Sequence, residues 1–248
     1  MSPIHVLGDI HGQIGPLETA LDLIERHGEP GAPVVFLGDY VDRGPDCRGV
    51  IEMLMAGQAA GRPWTCLMGN HDRFLLRWLD DPFYQDPNVS RPLLWTDPPL
   101  GGAATLASYG VHLGGGRPLE DARDEALEAI PQAHRDWIAG LPRLHETGDQ
   151  IFVHAGLRPG VALADQAEDD LVWIRKGFLD VEHDWGRLLV HGHTALDHPE
   201  LYRFRLNMDG GAGYGRPLVP GLIEGRAVSV LGKTGRRRLG VSVPVTAW

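Results

Sequence analysis

Ile4 to Gly8 is a short apolar run closed by glycine, and the polar Asp9-Ile10-His11-Gly12 follows directly. A run of that length predicts a buried strand with the polar residues at its end. Leu17, Ala20, Leu21 and Ile24 then recur at helical spacing until Gly28 closes the segment, so the unit is strand, loop, helix. It repeats. Val34-Val35-Phe36-Leu37 predicts a strand and Gly38 to Pro45 a loop. Val50, Ile51 and Leu54 mark the buried face of a helix that Asp46 can N-cap. A third copy has Trp64 to Met68 as strand, Gly69-Asn70-His71-Asp72 as loop, and Phe74, Leu75, Trp78 and Leu79 as helix. Alternating strands and helices predict an α/β fold, in which polar residues past the strand ends gather along one edge of the sheet, where ligands bind.

Residues 80–116 break this rhythm. They are irregular and rich in Pro and Gly, the pattern of a long insertion over or beside the site, and so a candidate substrate lid. Helical periodicity returns from about Leu119 to Gly140. From Gln150 onward the pattern turns mostly to strands: Ile151-Phe152-Val153, Leu188-Leu189-Val190, Tyr202 to Met208, Leu218 to Glu224, Val228 to Leu231 and Val241-Ser242-Val243. These predict a second sheet packed on the first. The basic run Lys233 to Arg238 reads as a solvated hairpin tip between the last two strands. At 248 residues the expectation is one domain over 1–248.

The net charge of −10 repels polyanions, so no nucleic acid partner is expected, and an anionic substrate has to be attracted locally by bound cations or arginines. Cys47 and Cys66 have no CxxC or metal-ligand spacing and are expected as free thiols. The N-terminus leaves no room for a signal peptide, and no apolar run approaches the roughly 20 residues of a membrane span. The expectation is a cytoplasmic protein with no membrane partner.

Five apolar runs end in a carboxylate, amide or imidazole: Gly8-Asp9-Ile10-His11-Gly12, Gly38-Asp39-Tyr40-Val41-Asp42-Arg43-Gly44, Gly69-Asn70-His71-Asp72, Val153-His154-Ala155-Gly156 and Val190-His191-Gly192-His193-Thr194. Any one of these polar residues alone is an ordinary turn or capping residue. Together they put metal-ligand types at successive strand ends. Aspartate with imidazole favours transition metals over calcium, and a shared carboxylate can hold a pair of ions.

In this order the five segments resemble the phosphoprotein phosphatase family of metallophosphoesterases, in which GDIHG, GDYVDRG and GNHD are signature blocks. With FVHAGL, LVWIRKGF and VHGHT the chain looks most like the short bacterial serine/threonine protein phosphatase-like members. The resemblance implies a sandwich of two mixed β-sheets flanked by helices. It implies two divalent metal ions, with Asp9, His11 and Asp39 on the first, Asp39 bridging, and Asn70, His154 and His193 on the second. Manganese is the expected metal, and Fe, Zn or Co also suit these donors. The implied chemistry is in-line attack on phosphorus by a hydroxide shared between the ions. Arg43 and, by a looser match, Arg175 would clamp phosphate oxygens, and His71 would be the general acid, oriented by Asp42. Tyr214 would line the site by analogy with a tyrosine in that family loop.

The implied substrate is phosphoserine or phosphothreonine in proteins, with phosphotyrosine or small phosphorylated compounds tolerated. The alternative is hydrolysis of diadenosine tetraphosphate and related dinucleoside polyphosphates, for which Phe83, Tyr84 and Trp95 offer aromatic surfaces. A non-catalytic metal-binding scaffold is a third reading, against which stand His71, Asp42 and Arg43. The chain departs from the pattern at Asp72, where many relatives carry Glu and where a shortened contact is expected. It also departs at Ala195, where the wider superfamily often has a second histidine, and in the glycine-rich Asp209-Gly210-Gly211. His191 lies on the same face as His193 if the strand alternates, and is read as supporting or structural. Arg158 is left between substrate reach and solvent.

Overall fold

The computed structural model describes residues 2–242. Three strand-loop-helix units open the chain: β1 (Ile4–Leu7) and α1 (Ile14–His27), β2 (Val34–Phe36) and α2 (Cys47–Ala59), β3 (Trp64–Cys66) and α3 (Asn70–Asp80). The 80–116 insertion, expected to be irregular, contains the short helix α4 (Gly102–Ser108), and α5 (Leu119–Ala129) and α6 (Gln132–Ala139) follow it. The second half holds β4 (Leu144–Glu146), β5 (Gln150–Val153), α7 (Glu168–Trp173), β6 (Leu188–His191), β7 (Glu200–Leu201) and β8 (Arg205–Asn207). It closes with β9 (Gly221–Glu224), β10 (Ala227–Gly232) and β11 (Gly235–Arg238).

The strands form two mixed sheets flanked by helices, one ordered β11-β10-β9-β1-β2-β3 and the other β4-β5-β6-β8-β7. Strands β1, β2 and β3 run parallel, and so do β5, β6 and β8, while the remaining pairings are antiparallel. Because successive side chains leave a strand on opposite faces, each apolar run feeds two cores. Val6, Val35 and Leu37 meet Phe152, Val190 and Leu206 between the sheets. Leu7 and Phe36 turn the other way, into a core with Leu17, Val50, Ile51, Leu54, Leu75 and Trp78 of the helices. Ile151, Val153 and Leu189 pack outward against Leu171, Val172 and Phe178.

Several boundaries differ from the sequence expectation. The helical stretch 119–140 is two helices. Pro131 has no N–H to donate, and it pushes Ile130, with φ −84° and ψ 113°, out of the helix. Of the stretch Tyr202 to Met208 only Arg205–Asn207 is strand, as β8; residues 202–204 form a tight turn from β7, closed by the Tyr202 N–H on the Arg205 carbonyl at 2.7 Å. The basic run is not a hairpin tip. Only Lys233 and Thr234 turn, and Arg236 to Arg238 continue as edge strand β11, where charged side chains guard against further pairing. Arg236 donates to the His27 and Gly28 carbonyls at 2.6 and 2.8 Å, satisfying acceptors at the end of α1. Of the last predicted strand, Val241 makes one parallel bridge to Leu201, and Val243 lies outside the described residues.

Candidate active site

The strand ends of both sheets converge on one place. Among the described residues, every non-glycine with a left-handed backbone is there: His11 (φ 49°), Asp39 (56°), Asp42 (74°), Arg43 (67°) and His193 (64°). Such conformations cost on the order of 1–3 kcal/mol each and persist where the surroundings over-determine them. The convergence leaves no room for side chains on the backbone between. A Cβ at Gly69 would run into the Asp39 carboxylate, and one at Gly192 into Asp9.

Asp39 sits at the centre. Its Oδ2 lies 3.6 Å from His11 Nε2 and its Oδ1 lies 3.4 Å from His154 Nε2. Ligand atoms of His11, Asp39 and His71 all fall within 4.8 Å of one another, as do those of Asp39, His154 and His193. Asn70 joins the second group, with Oδ1 3.0 Å from His154 Nε2. Asp9 is placed differently, its carboxylate accepting the His193 N–H at 3.1 and 3.2 Å. The structure thus brings all six residues that the resemblance names as ligands to one buried cluster.

Tautomers decide whether this cluster suits metals. His11 Nδ1 and His154 Nδ1 donate to the Val41 and Leu37 carbonyls at 2.9 and 2.8 Å, which leaves each Nε2 lone pair facing Asp39. His193 Nε2 is buried without a hydrogen-bond partner. Burial first, then the nearby carboxylate of Asp209, raises the Asp9 pKa well above the usual carboxylate range, and burial with Asp72 does the same for Asp39. Burial holds His11 and His193 well below the usual imidazole range and takes His154 down to about 3. Neutral imidazoles and crowded carboxylates form a donor set that bound cations would satisfy, and the residues fit a dinuclear centre.

Beside the cluster stands a second buried device. His71 Nδ1 donates to Asp42 Oδ2 at 2.5 Å, and His71 Nε2 accepts from Arg43 Nη2 at 3.0 Å. The other arm of the fork, Arg43 Nη1, lies 2.5 Å from His11 Nε2. Burial pushes Asp42 up to about 7, against the hydrogen bonds from Thr105 and Trp95, and holds His71 well below its usual value. Arg175 donates to the His193 carbonyl at 3.1 Å.

Residues 2–203 match the calcineurin-like phosphoesterase family. This chain is a calcineurin-like phosphoesterase. A symmetrical bis(5'-nucleosyl)-tetraphosphatase of Bordetella pertussis is 29% identical over 157 residues, 62% of this chain and 43% of that relative. A Caenorhabditis elegans protein provisionally named a serine/threonine-protein phosphatase is 42% identical over 72 residues, 29% of this chain and 19% of its own. The phosphoesterase therefore spans less than half the length of these relatives. Among solved structures, a provisionally named diadenosine tetraphosphatase superposes with a TM-score of 0.63 at 20% identity over 93% of both chains, a likeness of fold. The resemblance to phosphoprotein phosphatases read from its motifs holds at the level of this family.

A cavity of about 430 Å³ opens over the phosphoesterase's cluster. Asp9, Asp39, Asn70 and His193 line it together with Arg43, His71 and Arg175, and Asn88, Val89, Ser90 and Leu100 of the insertion form a wall. Tyr214 stands at its mouth, 63% exposed, with the Arg43 guanidinium 4.9 Å from its ring centre. The aromatic residues expected from the insertion do not face this cavity. Trp95 is fully buried, Tyr84 packs on Phe74 and donates to Asp86, and Phe83 is exposed but lines no part of it. Arg158 pairs with Asp170 away from the cavity. His191 leaves the face of His193 because the chain turns left-handed after β6, and its Nε2 accepts from Arg205 at 3.2 Å. Ala195 lines the cavity.

Three residues have places at the site that the sequence reading did not give them. Asp209, 4% exposed, lines the cavity beside Asp9, and it follows β8 and precedes two glycines. That is the same apolar-run, carboxylate, glycine pattern as the other segments and could have been found. Thr105 and Trp95 carried no such signal, since their role depends on contacts distant in sequence.

Proposed function

We propose that this phosphoesterase hydrolyses phosphate monoesters, with phosphoserine and phosphothreonine of proteins as its substrate class. The observation that carries the reading is the convergence of Arg43, Arg175 and His71 on one cavity floored by the metal-ligand cluster. Asp9, His11 and Asp39 would hold one ion and Asp39, Asn70, His154 and His193 the other, with manganese the metal proposed for these oxygen and nitrogen donors. Bound dications supply Lewis acidity and lower the pKa of water enough to give a nucleophile at neutral pH. The protein's own groups do the rest. A guanidinium fork matches two phosphate oxygens, and phosphate would draw the Arg43 fork away from the imidazole nitrogens it contacts. That frees His71 Nε2 to carry a proton to the leaving oxygen, with Nδ1 held by Asp42. Arg175, which lines the same cavity, adds positive charge.

The cavity mouth supports a peptide better than a nucleotide. Among its lining residues the aromatics other than imidazoles are Tyr214 and Trp173, and the Trp173 ring is engaged edge-on with Phe74 and His193. A base sandwiched between two rings has no site here, whereas Asn88 and Ser90 can pair with peptide backbone. The second reading, hydrolysis of dinucleoside tetraphosphates, is favoured by what the Bordetella pertussis relative is named for, with Tyr214 as a single stacking face. Parallel kinetics of the manganese-loaded chain on a phosphoserine peptide and on diadenosine tetraphosphate separate the two. A preference of about a hundredfold in kcat/KM for the peptide, near 3 kcal/mol of transition-state binding, is expected. An equal preference for the nucleotide would replace the first reading by the second.

A further inference from the structure

Asp42 is fully buried, and both its oxygens are claimed. Oδ2 accepts from His71 Nδ1 and also from Trp95 Nε1 at 2.8 Å, while Oδ1 accepts from Thr105 Oγ1 at 2.6 Å. The threonine hydroxyl is itself oriented, because its oxygen accepts the Asp42 N–H at 2.8 Å and its proton is thereby directed at the carboxylate. One residue thus grips both backbone and side chain of Asp42, whose left-handed φ of 74° needs such support. Trp95 lies against Trp78 of α3, the helix that begins beside His71, with ring centres 5.2 Å apart. Trp95 belongs to the irregular part of the 80–116 insertion and Thr105 to α4 within it, whereas Asp42 belongs to the loop after β2 and His71 to the first turn of α3.

We propose that Trp95 and Thr105 are positioning residues for the acid, and that the 80–116 segment, beyond forming one wall of the cavity, sets the orientation of the Asp42–His71 pair. The inference rests on the reading of His71 as the general acid. Proton delivery to a leaving oxygen requires the imidazole to sit within a few tenths of an ångström of its productive place, and small displacements are felt in the rate. With either anchor gone, Asp42 keeps one fewer hydrogen bond on its carboxylate and holds the His71 ring less firmly in its aim, while the metal-ligand cluster keeps its own hydrogen bonds.

The test compares leaving groups, because a general acid matters for a poor one and little for a good one. The manganese-loaded full chain would be assayed for kcat on phenyl phosphate and on 2,4-dinitrophenyl phosphate, alongside its bound manganese. Thr105→Val and Trp95→Phe should each lose about tenfold or more on phenyl phosphate and less than about twofold on the dinitrophenyl ester, at unchanged manganese content. Thr105→Ser should recover most of the loss, since its hydroxyl keeps both hydrogen bonds. Thr105→Val is nearly isosteric and carries the test if Trp95→Phe fails to fold. His71→Asn distinguishes the two levels of the argument. If it loses about a hundredfold on phenyl phosphate alone while Thr105→Val and Trp95→Phe lose equally on both esters, or on neither, the anchoring role is wrong and the acid stands. If His71→Asn itself loses equally on both esters, the acid assignment falls and the inference with it.

Discussion

Asp72 shows what a single side chain contributes to the site without touching metal or substrate. Its carboxylate accepts the backbone N–H groups of Asp39, Tyr40 and Gly69 at 2.8, 2.9 and 2.9 Å and is fully buried. It therefore ties the loop after β2 to the start of α3, fixing Asp39 and Asn70 relative to each other. Where the sequence suggested a contact shortened relative to Glu, the shorter side chain reaches three donors. Asp72→Asn presents an amide donor to at least one of them, leaving a buried N–H unpaired at a cost of about 2–4 kcal/mol. Denaturant unfolding measures this, and a change below about 0.5 kcal/mol would mean that the loops are held by other contacts.

Among the elements, β1 carries both chemistry and a titrating group. His5 is fully buried on the face that meets α1, and its Nε2 accepts the Glu29 N–H at 3.0 Å. Burial, aided by Arg236, lowers its pKa. An unfolded histidine takes up its proton as pH falls through about 6.5, whereas the folded one resists, so folding stability declines as pH drops below that value. The melting temperature should therefore fall between about pH 7.5 and pH 5.5, and part of that fall should vanish in His5→Gln, whose amide oxygen can still accept the Glu29 N–H. An identical fall in the variant would assign the effect to other histidines. The three opening strand-loop-helix units were legible in sequence because local apolar periodicity forms them. The second half was less so. β4 is three residues of no distinct pattern, and β11 is written in arginines because it pairs along one edge only.

At the scale of the molecule, the candidate site joins the two sheets. Asp9, His11, Asp39 and Asn70 come from the ends of β1, β2 and β3, and His154 and His193 from the ends of β5 and β6. Their convergence was readable from the order of the motifs, since parallel strands send their ends to one edge. The support from Trp95 and Thr105 was not, because it depends on how a patternless segment folds back. The ions proposed for this seam should stabilise the fold by linkage, about 2.7 kcal/mol at a free concentration a hundred times Kd, so chelation should lower the melting temperature and manganese should restore it. No change on chelation would place the ions outside the folded core. The most direct test of the dinuclear centre is an anomalous difference map from a crystal of the manganese-loaded protein. Two peaks on either side of the Asp39 carboxylate, about 3.5–4 Å apart, with one beside His11 and the other beside His154 and His193, are predicted. A single peak, or none at Asp39, would contradict the account.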